Sequence, residues 1–319
     1  MEQTIQEQVY TSDILGGNFQ QTTLEFPNDF EGKVVATLIR KLSGSPSDKA
    51  VLYIHGFNDY YFQVEMAEKF NQKGFDFYAL DLRKYGRSWL PNQKFNNVRD
   101  LQEYDAEINK ALEIIEEEQH TKVLLAGHST GGLILTSFAG RTKNPIVKGL
   151  WCNSPFYDFN LDIISKTIGI PLISRIGKNN PVKKMKGGFS PFYGLALHKI
   201  YSGEWDYSLD WKPNVAPEVS YGFVRAVFLE QQEIKAGIKI NVPVLVMHAA
   251  RSANPKEMNE DVYTTDIILD QKDIDKNARK IQGNVTIQPI QNGIHDLVLS
   301  KKEVRENVYQ KLFDWLKKI

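Results

Sequence analysis

Residues Lys122–Gly132 read KVLLAGHSTGG, and this stretch decides the fold. The apolar run KVLLA has the length and flanks of a buried strand, and Leu133–Ala139 behind it reads as helix. Between them, Gly127-His128-Ser129-Thr130-Gly131 carries the G-x-S-x-G spacing of a nucleophile elbow, in the strand-to-helix context that the motif requires. A turn that sharp forces the serine into a strained, positive-φ conformation, and only glycine at the flanking positions lets neighbouring backbone come close. The serine oxygen then projects above the sheet, beside the positive end of a helix dipole.

Working outward, strand-like runs precede the elbow at Gln21–Phe26, Lys33–Leu42, Ala50–His55 and Phe75–Leu82. Others follow at Ile146–Cys152, Val242–His248 and Asn284–Ile290, giving eight strands in all. Helices are expected over Tyr60–Lys73, with Phe62, Met66 and Phe70 on one face, and from Asp100, where Asp100 and Glu103 form a capping box. A last helix should start at Ser300, capped by Ser300 and Glu303, with Val304, Val308, Leu312 and Trp315 facing inward. This alternation indicates an α/β protein with a mostly parallel sheet flanked by helices. It lapses between Ser154 and about Lys235, a stretch rich in aromatics and in Gly and Pro turns. Residues 1–153 and 236–319 are therefore expected to form one core domain, with 154–235 inserted as a cap.

The 319 residues balance 39 Lys+Arg against 39 Asp+Glu, which excludes the basic footprint of a dedicated nucleic-acid binder. No run approaches the roughly 20 apolar residues of a membrane span, and MEQTIQEQVY lacks the pattern of a secretory signal. One cysteine, Cys152, allows no internal disulfide and reads as a small core residue. A cytoplasmic protein without metal or organic cofactor is the expectation, reached by a neutral or zwitterionic substrate without strong steering.

A serine nucleophile needs a base, and the base an orienting carboxylate, in the chain order Ser, Asp or Glu, His. Of six histidines, His55, His120 and His128 precede Ser129, His198 lies in the irregular insert, and His248 leaves no room for an acid before it. His295, in the loop after Asn284–Ile290, is the expected base. For the acid, Thr265–Asp270 offers Asp266 and Asp270; Asp270 is placed to cap a following helix, so Asp266 is preferred. Asp296 adjoins His295 too closely in sequence to orient it. The oxyanion hole should be built from the N–H groups of Thr130 and Phe57, with His55 bracing the second loop. Asp81 and Arg83 read as salt-bridge partners.

HGFND at 55–59, DLRKYGRS at 81–88, GHSTGG at 127–132 and GIHD at 293–296 together resemble the α/β-hydrolase superfamily. Within it the chain looks most like the serine aminopeptidase and monoacylglycerol lipase-like branch, including lysophospholipase-type esterases. The resemblance runs from about Val34 to the C-terminus and is weakest in the cap. It implies an eight-stranded sheet with a lid after the sixth strand, and ester hydrolysis through an acyl-enzyme. Relatives carry the acid a few residues past the seventh strand. Here HAARSANPKEMNEDVYTTDIILD looks like that turn with about a dozen residues inserted, and TDIILD again points to Asp266. The implied substrate is a small acyl ester or monoacyl lipid, with transient contact to a membrane surface. A peptidase or amidase on the same residues, or a non-catalytic binding protein, are the alternatives.

Overall fold

Strands with apolar residues at consecutive positions must be covered on both faces, and the chain arranges its strands to do so. The computed structural model describes residues 8–319. In chain order the strands are β1 (Thr11–Ser12), β2 (Gln20–Asp29), β3 (Gly32–Lys41), β4 (Lys49–Ile54), β5 (Asp76–Asp81), β6 (Lys122–His128), β7 (Val147–Asn153), β8 (Lys184–Met185), β9 (Val219–Ser220), β10 (Val244–Ala249) and β11 (Val285–Ile290). Nine of them form one sheet in the order β1-β2-β3-β5-β4-β6-β7-β10-β11, while β8 and β9 pair as a separate ribbon. Pairing is antiparallel from β1 to β5 and parallel from β5 onward.

All eight expected strands are present in the sheet, but among the described residues the total is nine. The addition is β1, two residues long and too short to show any alternation. An ion pair fastens the chain just beyond it, with Asp13 accepting from the Arg87 guanidinium at 2.6 and 2.9 Å.

Alternate residues of the central strands face opposite sides. Leu52, Leu125, Leu150 and Val246 join one cluster with α2 (Asp105–Glu117) and α3 (Thr130–Arg141), through Ile108, Leu112, Leu133 and Phe138. Val51, Tyr53, Leu124, Trp151 and Met247 join the other with α1 (Val64–Asn71) and the C-terminal helix Lys302–Leu316, through Met66, Phe70, Val308 and Leu312. Cys152 is buried and free in the first cluster.

Two helix starts differ from expectation, each because a tertiary bond captures the residue concerned. The helix expected from Tyr60 begins at Val64, since the Tyr61 N–H donates to the Asp81 carboxylate at 2.8 Å and keeps that turn extended. Ser300 does not cap the last helix; its hydroxyl accepts the Ile294 N–H at 3.1 Å instead, and the helix starts at Lys302. The Asp100–Glu103 capping box is present, opening a 3₁₀ turn that leads into α2. Asp81 and Arg83 take separate partners: Asp81 pairs with Arg87, and Arg83 with Glu103 and Glu107.

Between β7 and β10 the chain leaves the sheet through α4 (Ile170–Asn179), α5 (Phe192–Leu197) and α6 (Tyr221–Ala236). Beyond β10 come α7 (Asp261–Thr264) and α8 (Gln271–Ala278), which makes the C-terminal helix α9. No helix among the described residues is long and apolar enough to cross a membrane.

His120 ties the end of α2 to the start of β5. Its Nδ1 faces the Ile115 carbonyl at 3.1 Å and its Nε2 the Asp76 carboxylate at 2.9 Å. Burial, the largest single influence, favours the neutral ring, but the Asp76 hydrogen bond, the Ile115 carbonyl and the charges of Asp76 and Glu118 together outweigh it and hold the His120 pKa above its usual value. A raised folded-state pKa means this stabilisation is full below the ordinary histidine range and is lost as pH rises through the shifted value. In urea unfolding, His120→Gln should therefore lose stability against the unmutated chain at pH 5.5, and the gap should narrow by pH 8.5.

Candidate active site

The turn from β6 into α3 holds Ser129 at φ 51° and ψ −114°, a conformation costing about 1–3 kcal/mol for a side-chain-bearing residue. Close packing of backbone holds it there. A Cβ at Gly131 would collide with the carbonyl oxygens of Ile54 and His55, and one at Gly127 would lie 2.6 Å from the Gly131 carbonyl. The Ser129 N–H donates to the Asn153 carbonyl at 3.0 Å, and the Ser129 carbonyl accepts from Leu133 and Phe156. The serine is thus clamped from its own helix and from β7.

His295 lies buried in the loop after β11. Its Nε2 is 3.1 Å from Ser129 Oγ and its Nδ1 is 2.9 Å from Asp266 Oδ2. The other Asp266 oxygen accepts the N–H groups of Ile268 and Leu269, both at 2.8 Å. Of the two carboxylates left open by the sequence, Asp266 therefore meets the histidine. Asp270 accepts the Lys272 N–H and caps α8. Residues 254–264 loop out from the end of β10, and the chain then returns to pair Asp266 with Ser252. Asp266 N–H donates to the Arg251 carbonyl, and Ala253 N–H to the Asp266 carbonyl. That pairing carries Asp266 back toward the strand end across the intervening residues.

Gly56 runs against the elbow, since a Cβ there would sit 3.1 Å from Ser129 Cβ. The N–H groups of Phe57 and Thr130 have no partner among the described residues. His55 braces this loop as expected, with Nδ1 near the Gly56 carbonyl and Nε2 accepting the Leu82 N–H. The next three residues hold the segment above the pocket. Asn58 donates to the Pro213 carbonyl at 2.8 Å, Asp59 accepts from Lys212 at 2.8 Å, and Tyr60 Oη accepts the Ser208 N–H at 2.7 Å.

The pocket over Ser129 and His295 has a volume of about 320 Å³. Its walls are mostly apolar, with Phe156, Phe159, Phe223 and Val227 on one side. Asn58, Asp59, His128 and Lys212 make a polar corner, where one Asp59 oxygen is buried without a partner. Burial pushes the His128 imidazole below its usual pKa, and its ring packs 4.7 Å from that of His295. A hydroxyl joined to an imidazole whose far nitrogen meets a buried carboxylate can give up its proton as it attacks an electrophile.

Two supports had no signal in the sequence. Tyr193 on α5 packs its ring 5.8 Å from His295 and accepts the Asp296 N–H at 2.9 Å. Asn153, at the end of β7, donates to Asp296 Oδ1 at 2.7 Å and accepts the Leu297 N–H at 3.2 Å. Its carbonyl already holds Ser129, so one residue ties both loops together. Asp296 does not orient His295; Gln63 donates to its other oxygen at 3.1 Å.

A family model described as "Serine aminopeptidase, S33" matches residues 45–254. No curated protein sequence matches the chain. A soluble variant of monoglyceride lipase from Saccharomyces cerevisiae, solved with a substrate analogue, superposes with a TM-score of 0.65 at 17% identity, covering 93% of this chain and 96% of that one. A Paleococcus ferrophilus monoacylglycerol lipase superposes with a TM-score of 0.64 at 18% identity, covering 93% and 98%. At such identities the likeness is one of fold.

Asn153 must donate on one side and accept on the other, which aspartate cannot do beside Asp296. Asn153→Asp should lower stability by about 2–4 kcal/mol through the buried like-charge contact, measured by urea unfolding at neutral pH. Adding Asp296→Asn, which exchanges the two groups, should recover more than half of the loss.

Proposed function

The chain belongs to the serine aminopeptidase S33 family, and its fold is that of the α/β-hydrolases; from that premise we propose that it is a serine hydrolase of carboxylic esters. The observation that carries this reading is the hydrogen-bonded line from Ser129 Oγ through His295 to Asp266, opening on an apolar pocket. Ser129 is the nucleophile, His295 the general base and acid, and Asp266 the residue that orients the imidazole.

Ser129 Oγ attacks the ester carbonyl as its proton passes to His295 Nε2. The N–H groups of Phe57 and Thr130 hold the oxyanion, which needs donors that the fold has left unpaired. His295 returns the proton to the departing alkoxide, leaving an acyl-serine. A water molecule, deprotonated by His295, then attacks the acyl carbon, and collapse releases the acid and restores Ser129. Asp266 keeps the proton on Nδ1 and stabilises the imidazolium formed in each half-reaction. None of these steps calls for a metal or an organic cofactor.

Residues 154–235 act as the cap and set specificity. Their aromatic and aliphatic side chains favour an acyl chain or monoacyl lipid, and the polar corner at Asn58 and Lys212 suits a small alcohol. An aminopeptidase would need an unneutralised carboxylate for the substrate ammonium, and the charge of Asp59, the acid lining the pocket, is already paired with Lys212. That favours ester over aminoacyl amide cleavage. The one cysteine is buried and free, which accords with the reducing cytoplasm as its compartment.

Ser129→Ala should abolish turnover of nitrophenyl esters. Asp266→Asn should lower kcat by about 10³–10⁴-fold, while Asp270→Asn, which removes only a helix cap, should keep kcat within about threefold. Greater loss at Asp270 would reverse the assignment of the acid. Run beside the esters, aminoacyl anilides should be cleaved far more slowly.

A further inference from the structure

Two acceptor atoms in the polar corner of the pocket are left over once the hydrogen bonds are assigned. Asp59 is 1% exposed; one of its oxygens accepts from Lys212 at 2.8 Å, and the other is buried with no partner among the described residues. His128 is likewise buried, and its Nδ1 lies 3.1 Å from the Asn153 carbonyl oxygen. A carbonyl can only accept, so the ring proton sits on Nδ1 and Nε2 presents a lone pair. Burial favours that neutral ring. Nε2 makes no hydrogen bond among the described residues.

A third acceptor faces these two. Asp59, His128 and Asp296 each bring one electron-pair donor atom into a group whose members all lie within 4.8 Å of one another. Asp296 is bonded to the amides of Asn153 and Gln63 and to the Val298 N–H, all of them neutral, so its charge is uncompensated. Three buried acceptors that converge with no hydrogen between them are unfavourable unless something positive or hydrogen-bearing joins them. Against the single positive charge of Lys212 stand two carboxylates.

The donor set says what fits. One imidazole nitrogen with two carboxylates suits zinc, whereas calcium and magnesium take six or more oxygens, more than this corner offers. Each of the three side chains is also gripped from its far side: His128 by a carbonyl, Asp296 by two amides and Asp59 by Lys212. Outer hydrogen bonds of that kind are what orient metal-binding side chains.

We propose that Asp59, His128 and Asp296 form a zinc site that restrains the hydrolase. Zinc bonds of about 2.1 Å require the three atoms to draw in toward a common point. A fourth position faces the pocket, which Asp59 and His128 both line. The rings of His128 and His295 are 4.7 Å apart. A dication at this place opposes the positive charge that His295 acquires on taking the Ser129 proton, and it fills the corner that receives the leaving alcohol. The restraint rests on the serine hydrolase reading; the binding does not.

The test is equilibrium dialysis of the full chain, first freed of metal with EDTA, against zinc chloride, with parallel assays on a soluble nitrophenyl ester. One zinc ion per chain should bind at micromolar concentration, and magnesium in roughly hundredfold excess should not displace it. As the site fills, kcat/KM should fall about tenfold or more, and EDTA should restore it. Asp59→Asn and His128→Gln should each weaken zinc binding about tenfold or more, with urea unfolding as the check that both variants fold. His295→Gln should keep its zinc affinity, which places the ion beside the base and not on it. The proposal is overturned if the unmutated chain takes up no zinc at micromolar concentration, the result expected when a water molecule alone joins the three acceptors. It is equally overturned if Asp59→Asn and His128→Gln bind zinc as tightly as the unmutated chain, if His295→Gln loses zinc while those two keep it, or if the site fills without slowing the ester. A chain that takes up zinc through Asp59 and His128 but cleaves no ester in either state defeats the hydrolase reading and leaves the zinc site standing.

Discussion

Ser129 sits in a region of backbone conformation that a serine does not adopt on its own, and the surrounding structure is organised to keep it there. The strain of about 1–3 kcal/mol is offset by contacts that reach it from three directions. From below, α3 approaches β6 so closely that only glycine fits at 127, and the end of β4 approaches α3 so closely that only glycine fits at 131. From β7, the Asn153 carbonyl takes the Ser129 N–H; from the chain beyond it, Phe156 donates to the Ser129 carbonyl. Relaxing any of these would let the turn open and withdraw the hydroxyl from His295. The order of strands follows from the same demand, since β4, β6 and β7 must be adjacent for their ends to meet at this turn.

Much of this was legible because the constraint is written in residue types. Glycines at fixed spacing, an apolar strand before them and a helix behind determine the elbow, and the chain order of the partners singles out His295. The parallel strands were legible for a related reason: burial on both faces leaves continuous apolar runs such as Val123–Ala126. What sequence left open turns on long-range bonds with no local mark. Asp266 and Asp270 are four residues apart; the capping position of Asp270 favours Asp266, and the return of the chain to Ser252 is what carries Asp266 to the histidine. The start of α1 was misjudged because apolar spacing continues back to Phe62, while a carboxylate twenty residues away captures the Tyr61 N–H. Ser300 likewise has the look of a cap and serves another loop.

The polar residues around His295 illustrate a division of labour among carboxylates of similar burial. Asp266 faces the imidazole and is otherwise bonded only to backbone N–H groups. Asp296, the neighbour of His295 in sequence, turns away and is held by the amides of Asn153 and Gln63. Asp59 shares one oxygen with Lys212 and leaves the other unpaired. Burial is alike in all three, so it is the hydrogen-bond partners that distinguish them.

The three bonds from Asn58, Asp59 and Tyr60 to residues 208–213 have a mechanical meaning. The loop that carries Phe57 and the segment roofing the pocket are fastened into one part, because each consecutive residue of the first grips the second. Lifting the roof therefore pulls directly on the backbone next to Phe57, at a residue, Asn58, already held at φ 51°. Access to the pocket and alignment of the loop beside Ser129 are thereby mechanically linked through these three bonds.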